Sequence, residues 1–292
     1  MATLSDALRK RLAEKNKPTE TKAKDTAPTD DSVRFRERLK RAAARLEARR
    51  AGVFPGAGID ETLGGREIPM PSGIFYLVEP DAAAMHPDID PIVDMHHDLH
   101  LDGGVELPPG YTPIQDVSPE RWLYLDIETT GFLGVPLFLV GLMVFDGERL
   151  RVYQLLARDY AEEAPLLEYL AEQLELYHTF ITFNGKSFDI PYIRDRYFAN
   201  AIRCRFPMQH LDLLGLSRKR WRDKLPNCKL QTLEKWICGR GRDGDIPGTD
   251  IPDTYHRFVR TGNAALLKPI MDHNTLDLIT MADLLGYLLD MR

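Results

Sequence analysis

The sequence contains little cysteine: three residues in 292, at positions 204, 228 and 238, with no C-x-x-C pair. An odd count without paired spacing argues against a disulfide framework and a zinc ribbon, and it fits a reducing compartment. No run of 18 or more apolar residues occurs, so no membrane-spanning segment is predicted. The first residues also lack the apolar core of a secretory signal. Together these absences predict a cytoplasmic protein without a membrane partner.

The formal net charge of −6 is unevenly distributed along the sequence. Residues 1–51 contain 15 Lys/Arg and 8 Asp/Glu, a net charge of +7, whereas residues 52–292 contain 23 and 36, a net charge of −13. The composition of residues 1–51 predicts a basic, disordered tail with one helix, at 33–50. That helix could dock on the body, lie along nucleic acid or remain solvated. A basic arm on an acidic body is only a weak indication of a polyanionic partner.

Residues 52–119 are rich in Gly and Pro and have only short apolar runs. They predict a loop-rich segment with a few short strands, packed on the main domain. Residues 85–102 concentrate His and Asp, both of which can bind metal ions. However, Pro87 and Pro91 interrupt this run, and its spacing matches no metal motif. A polar surface loop is therefore favoured over a second metal site.

The most informative stretch is WLYLDIETTG, at residues 122–131. Its bulky apolar residues predict a buried strand. Because strand side chains alternate between faces, Asp126 and Glu128 share one face, about 6.6 Å apart along the chain. Two such carboxylates repel each other unless a cation lies between them, and Mg²⁺ or Mn²⁺ suits carboxylate ligands. The alternative is an edge strand with both acids in solvent, and the apolar flanks favour the metal site.

The segments after this strand follow the order of an α/β domain, which we assign to residues 120–292. Residues 136–145 and 149–156 predict a hairpin around Asp146-Gly147. Residues 161–177 predict an amphipathic helix, and residues 179–184 predict a further strand.

Two more acids have spacings that indicate function. Asp189 follows a predicted strand and could cap the next helix. That position is also near the carboxyl end of a strand, where ligands collect in α/β sheets, and both roles can hold together. In the last predicted helix, at 264–291, His273 and Asp277 lie on one inward face. An inward acid is costly unless it is paired or metal-bound, so a metal ligand or a buried Asp–Arg pair is expected.

Five basic residues surround Trp221 between positions 217 and 224. They could grip a phosphate backbone while the indole stacks on a base. A solvated basic helix with Trp221 turned into the core is an equal alternative.

Assembled, these residues resemble the DEDD superfamily of two-metal 3′→5′ exonucleases, and within it the YprB-like family of predicted exonucleases. The resemblance covers roughly residues 120–290. Its motifs are D-x-E at 126–128, N-G-x-x-F-D at 184–189 and H-N-x-x-D at 273–277, with H-L-D-L-L at 210–214 as a further element. One branch of the superfamily has His with four residues before the last Asp, and another has Tyr with three. This chain combines His with the three-residue spacing.

The resemblance implies an α/β, RNase H-like domain with a mixed central sheet flanked by helices, after a mostly irregular N-terminal region. It implies that two Mg²⁺ or Mn²⁺ ions are held by Asp126, Glu128, Asp189 and Asp277, with His273 as general base. The candidate substrate-binding residues are Thr129, Thr130, Gly131, Asn184, Lys186, Phe188, Trp221 and Lys229. The implied activity is metal-dependent hydrolysis of DNA or RNA from a 3′ end. A nucleic-acid-binding module with an idle site and a structure-specific endonuclease are the alternatives, and the oligomeric state is not indicated.

Overall fold

The computed structural model describes residues 58–86, 89–101, 107–131 and 134–292. The predicted tail at 1–51, with its helix, and residues 52–57 lie outside the described residues. The described strands are β1 (Arg66–Met70), β2 (Gly73–Val78), β3 (Trp122–Thr129), β4 (Leu137–Phe145), β5 (Leu150–Leu156), β6 (Thr179–Thr182) and β7 (Gln209–Asp212). The described helices are α1 (Ile59–Leu63), α2 (Ala82–Met85), α3 (Asp90–Leu101), α4 (Glu163–Leu174), α5 (Asp189–Ala199), α6 (Leu213–Trp221), α7 (Leu230–Trp236), α8 (Ile251–Thr261) and α9 (Lys268–Leu288). None of these helices is long and apolar enough to cross a membrane.

The strands form one mixed sheet in the order β1-β2-β5-β4-β3-β6-β7. β4 is antiparallel to β3 and β5, whereas β6 runs parallel to β3 and β7. In the register between β3 and β6, Tyr124 lies opposite Ile181. Because these strands are parallel, their carboxyl ends meet at one edge of the sheet, where Asp126 follows on β3 and Asn184 follows β6. The topology therefore brings two of the predicted motifs together.

The two faces of β3 contact different apolar clusters. Leu123, Leu125 and Ile127 pack with α4, α5 and α8. Trp122 and Tyr124 pack on the other side, with residues of α9. Since side chains alternate along a strand, Asp126 and Glu128 continue the face of Trp122 and Tyr124, toward α9. The apolar stripes of the strand thus direct both acids to the helix that carries Asp277.

The elements predicted from local patterns are present with small changes in their bounds. The hairpin of β4 and β5 is confirmed, and β4 is buried at every position, as its unbroken apolar run predicts. The predicted helix at 161–177 is shorter, and the last helix begins at Lys268 after a 3₁₀ turn at Ala264–Leu266. The predicted division into segments 1–51, 52–119 and 120–292 stays a prediction.

The prediction of a polar surface loop at 85–102 is wrong for residues 90–101, which form α3. Pro91 lies in the first turn of this helix, where a missing N–H costs little, so it does not act as a breaker. His96 is fully buried, with Nδ1 2.7 Å from the Ile92 carbonyl and Nε2 2.9 Å from the Tyr124 hydroxyl. Those hydrogen bonds allow a polar ring to lie in the core. Asp88 and Asp102 are outside the described residues.

Candidate active site

Three of the four predicted metal-binding acids lie where β3 meets α5. Asp126 and Glu128 project from the end of β3, and the register with β4 shifts between Glu128 and Thr129. Such a bulge bends the strand and re-aims the side chains beside it. Asp189 is the first residue of α5 rather than its cap, and its Oδ1 accepts a hydrogen bond from the Ile127 N–H at 3.2 Å. This bond fixes the Asp189 carboxylate against the strand that carries the other two.

The pKa shifts of these acids reflect their surroundings and the repulsion between neighbouring carboxylates. Burial raises the pKa of Asp126 well above its usual value, and the charges of Asp277, Glu128 and Asp189 raise it further. Burial likewise raises the pKa of Glu128, with added repulsion from Asp277 and Asp189. Burial is also the main reason that the pKa of Asp189 rises to about 7. Among the described residues, no ion pair involves these three acids. Mutual repulsion of this kind is what a bound cation would relieve.

Asn274 orients Asp126 through a short buried chain of amides. The Asn274 Nδ2 donates to the Asp126 Oδ2 at 2.8 Å, and the Gln154 Nε2 donates to the Asn274 Oδ1 at 3.0 Å. Gly141, which pairs with Asp126 across the sheet, leaves room for this contact, because a Cβ there would lie 2.1 Å from the Asn274 Oδ1. The glycine within the apolar run of β4 is therefore required by a close approach.

His273 is held by an acid that the sequence did not single out. Its Nδ1 lies 2.9 Å and 3.0 Å from the two carboxylate oxygens of Asp245, and its Nε2 lies 3.6 Å from the Asp277 Oδ2. A carboxylate only accepts hydrogen bonds, so Nδ1 carries the proton and Nε2 is left as the basic nitrogen. The basic nitrogen thus faces the acidic cluster.

Asp277 projects from α9 and contacts Arg242, so the buried Asp–Arg pair predicted as one alternative for this inward acid is present, and its role as a metal ligand stays a prediction. The Arg242 Nη2 lies 2.6 Å from the Asp277 Oδ1. This contact is an ion pair rather than an aligned hydrogen bond, since Oδ1 is buried with no hydrogen-bond partner among the described residues. Buried oxygens normally have such partners.

A divalent metal ion fits the donor set of this site. In the described residues, no three His, Cys, Asp or Glu side chains are arranged as a ready-made metal site. The chemistry is nevertheless suitable, because hard carboxylate oxygens are the ligands of Mg²⁺ and Mn²⁺. Among the described residues, the carboxylates of Asp126 and Glu128 have no positive charge paired with them, and the Asp277 Oδ1 beside Arg242 has no hydrogen-bond partner. A divalent ion would supply the missing charge and use the free oxygen.

A cleft of about 510 Å³ opens beside Asp126 and Asp277. Its other lining residues are Phe183, Asn184, Leu214, Arg218, Asn227, Cys228, Lys229 and Leu230. The cleft thus combines two acids on one wall with two exposed cations, Arg218 and Lys229, and with apolar side chains. This mixture suits a ligand that has both anionic and apolar parts.

The turn that contributes Asn184 to the cleft is held by Asp212. The Asp212 carboxylate accepts hydrogen bonds from the backbone N–H groups of Asn184, at 2.9 Å, and Lys186, at 3.0 Å, and it also caps α6 through Leu214. Asn184 has a φ of 68°, a left-handed conformation that asparagine tolerates. The H-L-D-L-L element therefore supports the N-G-x-x-F-D turn.

The other predicted substrate-binding residues do not line this cleft. Lys186 and Phe188 are exposed on the turn before α5, and Thr129 and Thr130 are buried, with Thr129 donating to the Gly131 carbonyl. Trp221 is only 7% exposed and packs in the core beside α9, with the Arg220 guanidinium 5.4 Å from its ring centroid. The ring therefore has the inward orientation that the sequence left as an equal alternative.

Sequence reasoning missed three residues that surround the site, Arg242, Asp245 and Asn227, whereas Arg218 is one of the five basic residues predicted to grip a phosphate backbone. Arg242 and Asp245 lie in a Gly- and Asp-rich stretch without periodicity, so no local signal distinguishes them from surface polar residues. Gly141 did carry a signal, because a glycine inside a run of bulky strand residues indicates a close backbone approach.

The sheet order, the flanking helices and the acids at the end of β3 define an RNase H-like protein. The chain belongs to the RNase_H superfamily, whose family model matches residues 123–289. It is similar to the uncharacterized protein YprB of Bacillus subtilis (strain 168), with 32% identity over 168 residues, 55% of this chain and 40% of that protein. The matched part thus spans less than half of that relative. These matches confirm the predicted RNase H-like fold and the predicted resemblance to YprB.

A solved structure, that of the family B DNA polymerase from the hyperthermophilic archaeon Pyrobaculum calidifontis, is also similar to this chain. The TM-score is 0.48 and the sequence identity is 17%, over 59% of this chain and 25% of the polymerase chain.

Proposed function

We propose that this protein is a two-metal-dependent 3′→5′ exonuclease that hydrolyses phosphodiester bonds of DNA or RNA. The observation that carries this proposal is the group of mutually repelling carboxylates on β3 and α5, half-buried at Asp126 and Glu128 and buried at Asp189, which has no ion-pair partner among the described residues. The superfamily to which the chain belongs consists generally of nucleases that use divalent metal ions.

The metal-binding residues of this proposal are Asp126, Glu128, Asp189 and Asp277. Two bound Mg²⁺ or Mn²⁺ ions would supply Lewis-acid stabilisation of the attacking and leaving oxygens of the phosphodiester. Asn274 holds the Asp126 carboxylate in one orientation, and the Ile127 N–H does the same for Asp189. The protein thus supplies orientation before the ions bind.

His273 is the proposed general base. Its Nε2 would accept a proton from the attacking water, while Asp245 at Nδ1 keeps the tautomer that leaves Nε2 basic. Asp245 also places a negative charge beside the imidazolium that forms, which favours the proton transfer.

The cleft beside Asp126 is the proposed site of the terminal nucleotides. Arg218 and Lys229 would contact the phosphate backbone, and the Phe183 ring together with Leu214 and Leu230 would contact a base. We expect Arg218→Gln to raise KM about tenfold, since one charge-assisted contact is worth about 1.4 kcal/mol or more, and to leave kcat nearly unchanged. Lys219→Gln is the matched control, because Lys219 is exposed on the same helix and does not line the cleft.

The decisive experiment is a degradation time course of single-stranded DNA and RNA, labelled at the 3′ or the 5′ end, with Mn²⁺ or with EDTA. Stepwise shortening from the 3′ end is expected with Mn²⁺ alone. Asp126→Asn should lower the rate at least ~10²-fold, because metal-ion stabilisation is worth several kcal/mol. Asp223→Asn, at an exposed acid beyond α6, should retain the wild-type rate.

The products separate the proposal from its alternatives. If oligonucleotides are the first products, the activity is that of an endonuclease on the same fold and not of an exonuclease. Binding without cleavage of any substrate would indicate a nucleic-acid-binding module with an idle site. Full activity of Asp126→Asn would contradict the assigned mechanism.

A further inference from the structure

Arg242 brings a buried positive charge to the edge of the acidic site. Its side chain is 5% exposed. Its Nη2 lies 2.6 Å from the Asp277 Oδ1 and 3.3 Å from the Thr280 hydroxyl, and its Nη1 lies 3.3 Å from the Asp245 Oδ2. Its Nε donates to the Glu234 Oε2 at 2.6 Å. The guanidinium is therefore shared among three carboxylates, one of which is a proposed metal ligand.

The contacts of Arg242 with Glu234 and with Asp277 differ in quality. The bond to Glu234 is a short, aligned, charge-assisted hydrogen bond, the strong kind of polar contact. The contact with Asp277 is close but misaligned, which leaves the Asp277 Oδ1 without a hydrogen bond. Glu234 thus holds the arginine through a directional hydrogen bond, whereas the hold of Asp277 is mainly Coulombic, and another cation can take its place there.

A cavity of about 530 Å³ lies beside the guanidinium. Residues 240–245 line it together with the start of α9. Four of its lining residues are acids: Glu234, Asp243, Asp245 and Asp272. Glu234 and Asp245 already contact Arg242, and Asp272 pairs with Lys268, so Asp243 is the further carboxylate that this cavity offers. The arginine therefore has space beside it that Asp277 does not line.

We propose that Arg242 is a resident cation that competes with a divalent metal ion for Asp277, and that metal binding displaces its guanidinium toward this cavity. This inference rests on the proposed function, because it concerns the same metal site. A guanidinium and a divalent ion on one carboxylate repel each other strongly in a buried setting. The ion carries the larger charge and can use the orphaned oxygen, so it displaces the arginine once its concentration is sufficient. Arg242 thereby lowers the metal affinity of the site.

The test is a Mn²⁺ titration of the full chain, followed by electron paramagnetic resonance of the unbound ion, on wild type and variants. Arg242→Gln is expected to bind Mn²⁺ at least about tenfold more tightly, since close charge pairs in buried settings couple by more than about 1.4 kcal/mol. Arg242→Lys retains the charge and should bind close to wild type.

The matched control is Arg240→Gln. Arg240 lies in the same loop and also pairs with Glu234, at 3.0 Å, but its second partner is Asp283, at 3.1 Å, rather than Asp277. Arg240→Gln removes an equal charge nearby. Because Arg240 does not contact Asp277, the Mn²⁺ affinity should change by no more than about twofold. The gain of Arg242→Gln should also vanish in an Asp277→Asn background. A gain that persists there would assign the ion to Glu234 or Asp245 and overturn the proposal.

The outcomes distinguish this inference from the proposed function. Equal Mn²⁺ affinity of wild type and Arg242→Gln overturns the competition and leaves the proposed nuclease standing. Absence of Mn²⁺ binding in every chain overturns both, whereas binding gained only by Arg242→Gln supports the competition. If Arg242→Gln does not fold, amide hydrogen exchange of wild type decides. Exchange in residues 239–247 should accelerate on addition of Mn²⁺, and unchanged or slower exchange there overturns the displacement.

Discussion

The described part of this protein buries acids in two different ways. Glu162, Glu163 and Glu234 are each nearly inaccessible to solvent, and each has an arginine within 3.0 Å. Asp126 and Glu128 are half-buried beside the buried Asp189, and the hydrogen bonds to Asp126 and Asp189 come from the neutral Asn274 amide and the Ile127 N–H. The first arrangement is complete within the protein chain. The second lacks a positive charge, and this difference, rather than the number of acids, marks the site that requires a cation.

The largest effect is expected where a completed pair is broken. In wild type, the Arg196 guanidinium donates two hydrogen bonds of 2.6 Å to the Glu163 carboxylate. Glu163→Gln leaves that guanidinium buried without its counter-charge. We expect the free energy of unfolding to fall by about 3–5 kcal/mol, as for other buried pairs that lose one partner. Urea denaturation at pH 8 measures it. Asp223→Asn, which breaks the exposed pair with Arg222, should leave the unfolding curve unchanged. Equal losses in both variants would remove the distinction between buried and exposed pairs.

A smaller effect concerns His96, a buried titratable group that the fold keeps neutral. Burial lowers the pKa of His96 to about 4. Between pH 6.5 and pH 4 the unfolded chain binds a proton at this ring and the folded chain does not. The free energy of unfolding therefore falls as the pH falls through this range, by about 3 kcal/mol at ~1.4 kcal/mol per pH unit.

The measurement for His96 is denaturant unfolding of wild type and His96→Gln at several values between pH 7 and pH 4. The difference between their curves isolates the ring, because the other groups titrate in both. The variant should lose less stability on acidification than wild type. Parallel curves for wild type and His96→Gln would contradict the assigned neutral state.

The sequence predicted the parts of this molecule that depend on local periodicity. Alternation along β3 placed Asp126 and Glu128 on one face, and the four-residue spacing on α9 placed His273 and Asp277 on an inward one. Their convergence was an implication of family resemblance, because no local pattern relates β3 to α9. The paired strand register and the apolar clusters provide that relation in three dimensions.

The remaining differences arise from tertiary contacts. Pro91 interrupts a polar run in the sequence, yet it lies in the first turn of a helix whose buried His96 has hydrogen-bond partners in Ile92 and Tyr124. Trp221 had two plausible directions on a basic helix, and only the neighbouring core decides between them. Arg242 and Asp245 lie in a loop whose path is determined by ion pairs with α7 and α9, which leave no periodic trace in the sequence.

The smallest effect tests the incomplete arrangement itself. In EDTA at pH 8, Glu128→Gln removes a half-buried carboxylate that Asp277 and Asp189 repel, so the variant should be about 1 kcal/mol more stable than wild type. Saturating Mn²⁺ should reverse the order, because an ion that binds only the folded state stabilises the chain that retains its ligands. Thermal unfolding of both chains, with EDTA and with Mn²⁺, makes the comparison. Glu163→Gln is the control, since Mn²⁺ should shift its midpoint as much as it shifts that of wild type. If Glu128→Gln is the less stable chain in EDTA, Glu128 is satisfied within the protein, and the contrast between completed and incomplete acids does not hold at this residue.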